Sequence, residues 1–254
     1  MDQVRTTIAA GTWANQSIHP VVPELLSRPQ YEQRTEAWYN VRKGLMTASD
    51  VAGALGIPAF ASQRNPREAL LKQKVSGTFT GNHMTRWGQA NEDQVRERAM
   101  QVLGEVAWEV GLVIHEDLPW LGASPDGVTS TGKLIEIKCP YKRVPIPYDV
   151  PHHYWPQIQV QMECTGLDAC YFVQWQPASL NGVEELFTIT TVERDRQWFK
   201  SVVDELKDFH TDLMARRAVY VPPPDPVWLG KPIYDTDTDL QEASRVGWVG
   251  IDDV

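Results

Sequence analysis

Cysteine is scarce in this chain, long apolar runs are missing, and basic residues are outnumbered by acids. Only three cysteines occur in 254 residues, Cys139, Cys164 and Cys170, with no C-x2-C spacing among them. An odd number without that spacing argues against a disulfide framework, a zinc site and a four-cysteine iron–sulfur cluster. No stretch approaches the ~20 consecutive apolar residues of a membrane span. The N-terminal MDQVRTTIAAGTW also lacks the basic-then-apolar order of a secretory signal. A cytoplasmic protein without membrane contact is therefore expected. Lys and Arg total 24 against 33 Asp and Glu, a net charge of −9, which ordinarily argues against a nucleic-acid partner. The excess is local, however. From Pro222 onward seven acids (Asp225, Asp235, Asp237, Asp239, Glu242, Asp252, Asp253) meet two bases (Lys231, Arg245), so this tail holds five of the nine net negative charges. The body is only mildly acidic, and a local basic groove remains compatible with it.

What is present is a pattern of alternating helices and strands long enough to bury a substantial core. Residues 1–28 show no sustained periodicity, and VVPELLSRP reads as an arm draped over the body. A helix is expected from Gln30 to Lys43 with Trp38 and Val41 inward, stopped by Gly44. Thr47 or Ser49 can cap a short helix carrying Val51, Ala54 and Leu55. With Arg42 beside it, that helix start could hold a phosphate; the alternative is an ordinary cap beside a surface arginine. Pro66 suits the first residue of a helix through Lys74. In GNHMTRWGQANEDQVRERAMQVLG, residues Met84, Gly88, Glu92, Val95, Ala99 and Val102 fall on one helical stripe. That turns Glu92 inward, where a carboxylate needs a metal or a partner such as Arg96.

Strands are expected over Val106–His115, Trp120–Ser124, Ala169–Gln176 and Glu185–Val192, besides a central one ending at Cys139. HHYWPQIQVQMECTG reads as a helix with Pro156 in its first turn. Gln157 and Gln161 then share a face apart from Trp155, Ile158 and Met162, within reach of a phosphate or a metal-bound water. His152 and His153, at its start, read as cap or surface groups and not as metal ligands. The helix Arg194–Arg217 repeats Trp198, Val202, Leu206, Phe209 and Leu213 as a core or subunit contact. Residues 221–254 read as an extended acidic tail, leaving residues 29–220 as the folded domain.

The organising stretch is GASPDGVTSTGKLIEIKCP, Gly122 to Pro140. In a strand, Glu136 and Lys138 emerge on one face while Ile135, Ile137 and Cys139 take the other. A hairpin from the Pro-Asp-Gly turn brings Asp126 beside Glu136. Two carboxylates that close do not both stay ionised without a cation. Oxygen ligands of this kind suit Mg²⁺ or Mn²⁺, and a neighbouring lysine suits an attacking water or a phosphate. The alternative is a turn acid and a solvated strand face that bind nothing.

Five segments in order, TASD preceded by Arg42, WGQANED, ASPDG, EIKCPY and QIQVQMECTG, resemble the motifs of the lambda-type exonucleases. These are phage recombination nucleases of the PD-(D/E)xK superfamily, and the likeness spans roughly residues 34–200. It implies a restriction-endonuclease-like mixed central β-sheet flanked by helices, in the α/β class. It further implies Mg²⁺-dependent digestion of one strand of duplex DNA from its 5′ end, with two ions and Mn²⁺ as a substitute. The products would be mononucleotides and a 3′ single-stranded tail for recombination by strand annealing. By the same resemblance Asp126, Glu136 and the backbone carbonyl of Ile137 are metal ligands, Glu92 is the helical acid near the metals, and Lys138 orients or activates the attacking water. Gln157 matches the first glutamine of the family's Q-x-Q segment. Arg42, Ser49 and Ser124 match the positions that hold the 5′-phosphate. A homotrimeric ring around DNA and a single-strand annealing protein as partner are implied as well. The acidic tail and the 56–65 loop depart from the family pattern. Two rivals remain: an endonuclease on the same fold, and a DNA-end binding module without catalysis.

Overall fold

The computed structural model describes residues 17–28, 31, 35–77, 83–141, 143–178 and 184–222. The acidic tail beyond residue 222 and residues 1–16 lie outside them. The described chain builds two small sheets with helices packed on both sides.

Helix α1 (Val21–Ser27) lies in the segment read as an arm, and it buries Val22 and Leu25 fully in the main core. Helix α2 (Glu36–Lys43) begins later than its periodicity suggests, because the Thr35 side chain accepts from the Trp38 N–H and caps it there. None of its residues is fully buried, so Trp38 is available for other work. Strand β1 (Met46–Thr47), a single 3₁₀ turn (Ala48–Asp50) and α3 (Val51–Ala54) follow. Helix α4 (Pro66–Ser76) has the expected ends: Asn65 accepts from the Glu68 N–H, Pro66 occupies the first turn, and Gly77 takes a left-handed φ of +64°.

Helix α5 (His83–Leu103) packs Val95 and Ala99 inward. Val102, expected on that stripe, is 63% exposed, and Leu103 takes the inward position of the last turn. The expected strand Val106–His115 divides into β2 (Ala107–Trp108) and β3 (Val113–Ile114), which join different sheets. Val110 and Leu112 stay buried through the crossing. Burial continues from Val110 to Val113 while the backbone pairing breaks.

Strand β4 (Leu121–Ala123) lies between β1 and β3 in one sheet. In the other, β5 (Gly127–Thr129), β6 (Leu134–Lys138), β7 (Ala169–Gln176) and β8 (Leu186–Glu193) run in the order β2-β5-β6-β7-β8. The β6–β7 pair is parallel and its neighbours antiparallel, giving a mixed sheet. Helix α6 (Trp155–Thr165) spans the β6–β7 crossover, and α7 (Arg196–Val219), capped by Asp195 accepting from the Gln197 and Trp198 N–H groups, is the last helix among the described residues.

Strand β6 is covered on both faces, as a central strand of a layered α/β fold should be. Leu134 belongs to the larger core with Ile158, Met162 and Phe172, while Ile135, Ile137 and Cys139 pack with Val95 and Ala99 of α5. Glu136 points to the larger core's side and is only 2% exposed. The face read as solvated or metal-binding is thus interior. Arg217 of α7 donates to the carbonyls of Lys43 and Lys74, tying α2 and α4 to the long helix.

Candidate active site

Asp126 stands just before β5, and the β5–β6 hairpin, which turns at residues 130–132, lays it against β6. Its N–H donates to the Ile135 carbonyl at 3.1 Å, and its Oδ2 accepts from the Ile137 N–H at 2.6 Å. The carboxylate therefore sits one residue from Glu136 as expected, although the hairpin turns at residues 130–132 and not at Pro125-Asp126-Gly127. Burial, then the charge of Glu136, then that of Glu92 push the Asp126 pKa well above the ordinary carboxylate value.

Glu136 is clamped by α6. Gln157 Nε2 donates to its Oε1 and Gln161 Nε2 to its Oε2, each at 2.6 Å, and Lys138 Nζ lies 3.0 Å from Oε1. The two glutamines are one helical turn apart and so reach both oxygens of one carboxylate. Lys138 also lies 4.6 Å from the centre of the Tyr154 ring. Burial works against its ammonium, but Glu136, Tyr154 and Asp126 outweigh it and hold the pKa above the ordinary lysine value. Lys138 is a fixed cation at neutral pH.

Glu92 is brought near enough to act on Asp126, and it also pairs with Arg96 at 3.6 Å. Arg96 in turn donates to the Asp126 carbonyl at 3.0 Å. Among the described residues, no three His, Cys, Asp or Glu side chains are arranged to hold an ion by themselves. Asp126 and Glu136 are the carboxylates that could do so. Mg²⁺ usually takes one or two protein carboxylates and completes its shell with water and phosphate. The repulsion that raises the Asp126 pKa is what a divalent cation relieves, so the pair fits such an ion.

A second group lies where β4 runs into the hairpin. Trp38 Nε1 donates to Ser124 Oγ at 3.3 Å, and the Arg42 guanidinium sits 4.1 Å over the Trp38 ring. Arg42 Nη2 donates to Thr47 Oγ1 at 3.3 Å, which lies 3.1 Å from Ser49 Oγ. Arg42, Ser49 and Ser124 are thus joined through Trp38 and Thr47. Burial lowers the Arg42 pKa, with Asp50 and Tyr39 acting against it, and a guanidinium stays charged. Asp50 underpins the group: it accepts from the Thr47 N–H and hydroxyl, each at 2.7 Å, and from Lys74 Nζ at 2.5 Å. Burial opposes its carboxylate, but Lys74 and the Thr47 donors prevail and hold the pKa below the ordinary value.

Sequence reasoning missed several of these residues. Gln161 was paired with Gln157 by spacing, but that it holds Glu136 was not foreseen. Trp38 read as core, and Asp50 and Lys74 carried no signal, since their sequence separation hides the ion pair. His152 is exposed, whereas His153, expected as a cap or surface group, is buried.

Residues 37–168, just over half of the chain, match the YqaJ-like viral recombinase domain. The chain belongs to this family. It is similar to the alkaline exonuclease LHK-Exo of Laribacter hongkongensis, 28% identical over 84% of this chain and all of that one, with a TM-score of 0.57. The structure of LHK-Exo in complex with dAMP is 32% identical, with 72% of this chain and 95% of that one covered and the same TM-score of 0.57. A phage-related exonuclease from Haemophilus somnus 129PT, at 16% identity and a TM-score of 0.51, shares the fold. An uncharacterized protein of Acanthamoeba polyphaga mimivirus is 28% identical over 165 residues, 58% of this chain but only 29% of that protein. The chain therefore spans less than a third of that relative's length. The mixed sheet flanked by helices is the restriction-endonuclease-like fold of these exonucleases. No helix among the described residues is long and apolar enough to cross a membrane.

Proposed function

We propose that the chain is a 5′-to-3′ exonuclease that degrades one strand of duplex DNA from its end to mononucleotides, leaving a 3′ single-stranded tail. The observation that carries this reading is the link between the two groups. Ser124 and Asp126 stand two residues apart on one turn, so a terminal phosphate held at Arg42, Ser49 and Ser124 lies a fixed step from the carboxylates. A pocket for the end at a set distance from the reacting groups gives end dependence a physical cause.

Asp126 and Glu136 would hold Mg²⁺, two ions with Mn²⁺ as a substitute, with the Ile137 carbonyl and Glu92 completing the set. When bound, the metal supplies a polarised phosphate, an activated water and charge stabilisation for the leaving oxygen. The chain's own residues do the rest. Lys138, which pairs with Glu136, orients or activates the attacking water. Gln157 and Gln161 fix the Glu136 rotamer, so its oxygens need no reorientation during reaction. Arg42 supplies a charge-assisted donor to the terminal phosphate, and the serine hydroxyls add neutral ones. The dAMP found with LHK-Exo, a deoxynucleoside monophosphate, is of the product class expected here. A homotrimeric ring would retain an acidic protein on DNA by topology, and a single-strand annealing protein would take up the exposed tail in the cytoplasm.

The test is digestion, with Mg²⁺, of three matched duplexes: linear 5′-phosphorylated, linear 5′-hydroxyl and covalently closed circular. Release of mononucleotides from the linear forms, fastest from the phosphorylated one and absent from the circle, is expected. Cutting of the circle would make the chain an endonuclease on the same fold, and inertness on all three would favour a DNA-end binding module.

A further inference from the structure

His153 takes no part in the chemistry described so far. It is 7% exposed, and among the described residues neither ring nitrogen has a hydrogen-bond partner. The rings beside it, His152 at 5.3 Å and Tyr154 at 4.3 Å between centroids, pack against it without a hydrogen bond. Burial first, then the charges of His152, Arg143 and Lys138, hold its pKa down at about 4. The imidazole is therefore neutral at working pH, with one N–H donor and one acceptor. Buried polar groups in proteins are almost always matched, and one matched by nothing in its own chain points to something from outside.

The same histidine lines a cleft of about 120 Å³ between the α3–α4 segment and the start of α6. Lys138, Gln157 and Ser49 form its polar side. Ile57, Pro66 and Leu70 are among its apolar walls. The cleft thus reaches from the proposed phosphate group to the proposed catalytic lysine. The cleft is smaller than the roughly 150 Å³ that encloses a benzene ring, so it takes the edge of a planar ring and leaves the rest outside.

We propose that this cleft receives the base of the terminal nucleotide, unstacked from the duplex, and that His153 hydrogen-bonds its edge. The proposal rests on the exonuclease reading above. The apolar walls and the donor and acceptor of His153 match the edge of a nucleobase, while Ser49 and Lys138 on the polar side suit the phosphate attached to it. A neutral imidazole can exchange donor and acceptor between its two nitrogens, so it can serve bases of different patterns. That tolerance suits an enzyme that must digest any sequence. Unstacking of the end is also how a strand is brought to a site that cannot reach inside the duplex.

The experiment has a binding arm and a kinetic arm. In EDTA, the four deoxynucleoside 5′-monophosphates and 2-deoxyribose 5-phosphate are titrated into the full chain, its His153→Phe variant and its His153→Gln variant. The wild type should bind the nucleotides about tenfold more tightly than the sugar phosphate, the scale of one hydrogen bond and its desolvation. Phe fills the same space without either nitrogen and should erase that advantage, while Gln, with a donor and an acceptor, should restore part of it. Equal affinity of the wild type for nucleotide and sugar phosphate would overturn the proposal. In single turnovers with Mg²⁺, His153→Phe should slow digestion of an ordinary 5′-phosphorylated end about tenfold and leave an abasic 5′-phosphorylated end unaffected. An equal loss on both ends would make His153 a structural residue and refute its role at the base. Should the wild type digest no linear duplex at all, the exonuclease reading fails, while the binding arm still decides whether the cleft takes a base.

Discussion

The carboxylate group and the phosphate group are built by opposite means. Asp126, Glu136 and Lys138 come from a hairpin and a central strand, and α6 clamps them with Gln157 and Gln161, so their positions follow from sheet register. Arg42, Ser49 and Ser124 come from a helix end, a 3₁₀ turn and a strand end, and are assembled by Trp38 and Thr47. The first group is buried and carries acids that repel each other; the second is partly exposed and carries a cation propped from behind by Asp50 and Lys74. Chemistry that must not move is placed on regular structure. The proposed recognition of an end, which would have to admit a duplex, falls on caps and turns.

The comparison breaks most sharply at Lys138. Lys138→Ala should slow cleavage by at least ~100-fold, the effect of removing one preorganised stabilising group, while duplex ends still bind through the second group. Turnover at the wild-type rate would take the lysine out of the mechanism, and a parallel loss of end binding would show that the two groups are not separable. Gln161→Leu probes the clamp. It leaves one oxygen of a fully enclosed carboxylate without its donor, at a cost of roughly 2 kcal/mol. The melting temperature should fall and Mg²⁺ should recover part of the loss; unchanged stability would mean that Glu136 does not depend on the helix.

Much of this contrast was legible in the sequence, and unevenly so. The hairpin and β6 could be read because Asp126, Glu136 and Lys138 lie within thirteen residues and obey the period of a strand. Helices α4, α6 and α7 announced themselves by Pro, Gly and periodic apolar residues. The larger surprise was that Glu136 faces the interior, because LIEIK reads equally well as a half-exposed strand; only α6, laid across it, decides. Arg42 and Ser49 could be paired by local spacing, but Ser124 entered through the family resemblance. Nothing in the sequence indicates that an indole at position 38 bridges to position 124. The division of Val106–His115 between two sheets was likewise hidden, since the chain stays buried from Val110 to Val113 across the break.

Arg42→Ala sharpens the second half of the comparison. We expect the preference for 5′-phosphorylated over 5′-hydroxyl ends to shrink about tenfold, as for one charge-assisted hydrogen bond, with the 5′-hydroxyl rate little changed. Trp38→Phe keeps a ring under the guanidinium but removes the donor to Ser124, and should reduce the preference less. If Arg42→Ala slowed both ends equally, Arg42 would belong to the general DNA surface and the separate end pocket would be lost.

The smallest effect concerns the repulsion among the acids. The folded-state pKa of Asp126 is raised above its unfolded value near ~3.9, so in the window between the two the folded chain binds more protons than the unfolded one. Metal-free stability should therefore fall as pH rises through that window and stay low above it. His153 acts in the opposite sense: its folded pKa of about 4 lies below the usual ~6.5 of histidine, so its contribution rises with pH until it levels off there. Comparing the wild type with Asp126→Asn cancels the histidine, because both chains carry it. The variant, whose amide oxygen still accepts from the Ile137 N–H, should be more stable than the wild type at pH 7. That advantage should vanish at low pH. Mg²⁺ should raise the stability of the wild type at pH 7 and do little for the variant, because a ligand stabilises only the fold that binds it. Denaturant curves at several pH values decide the matter. Curves for the two chains that overlay at every pH would mean that the acids do not strain the fold, and the main physical reason for a cation between them would be gone.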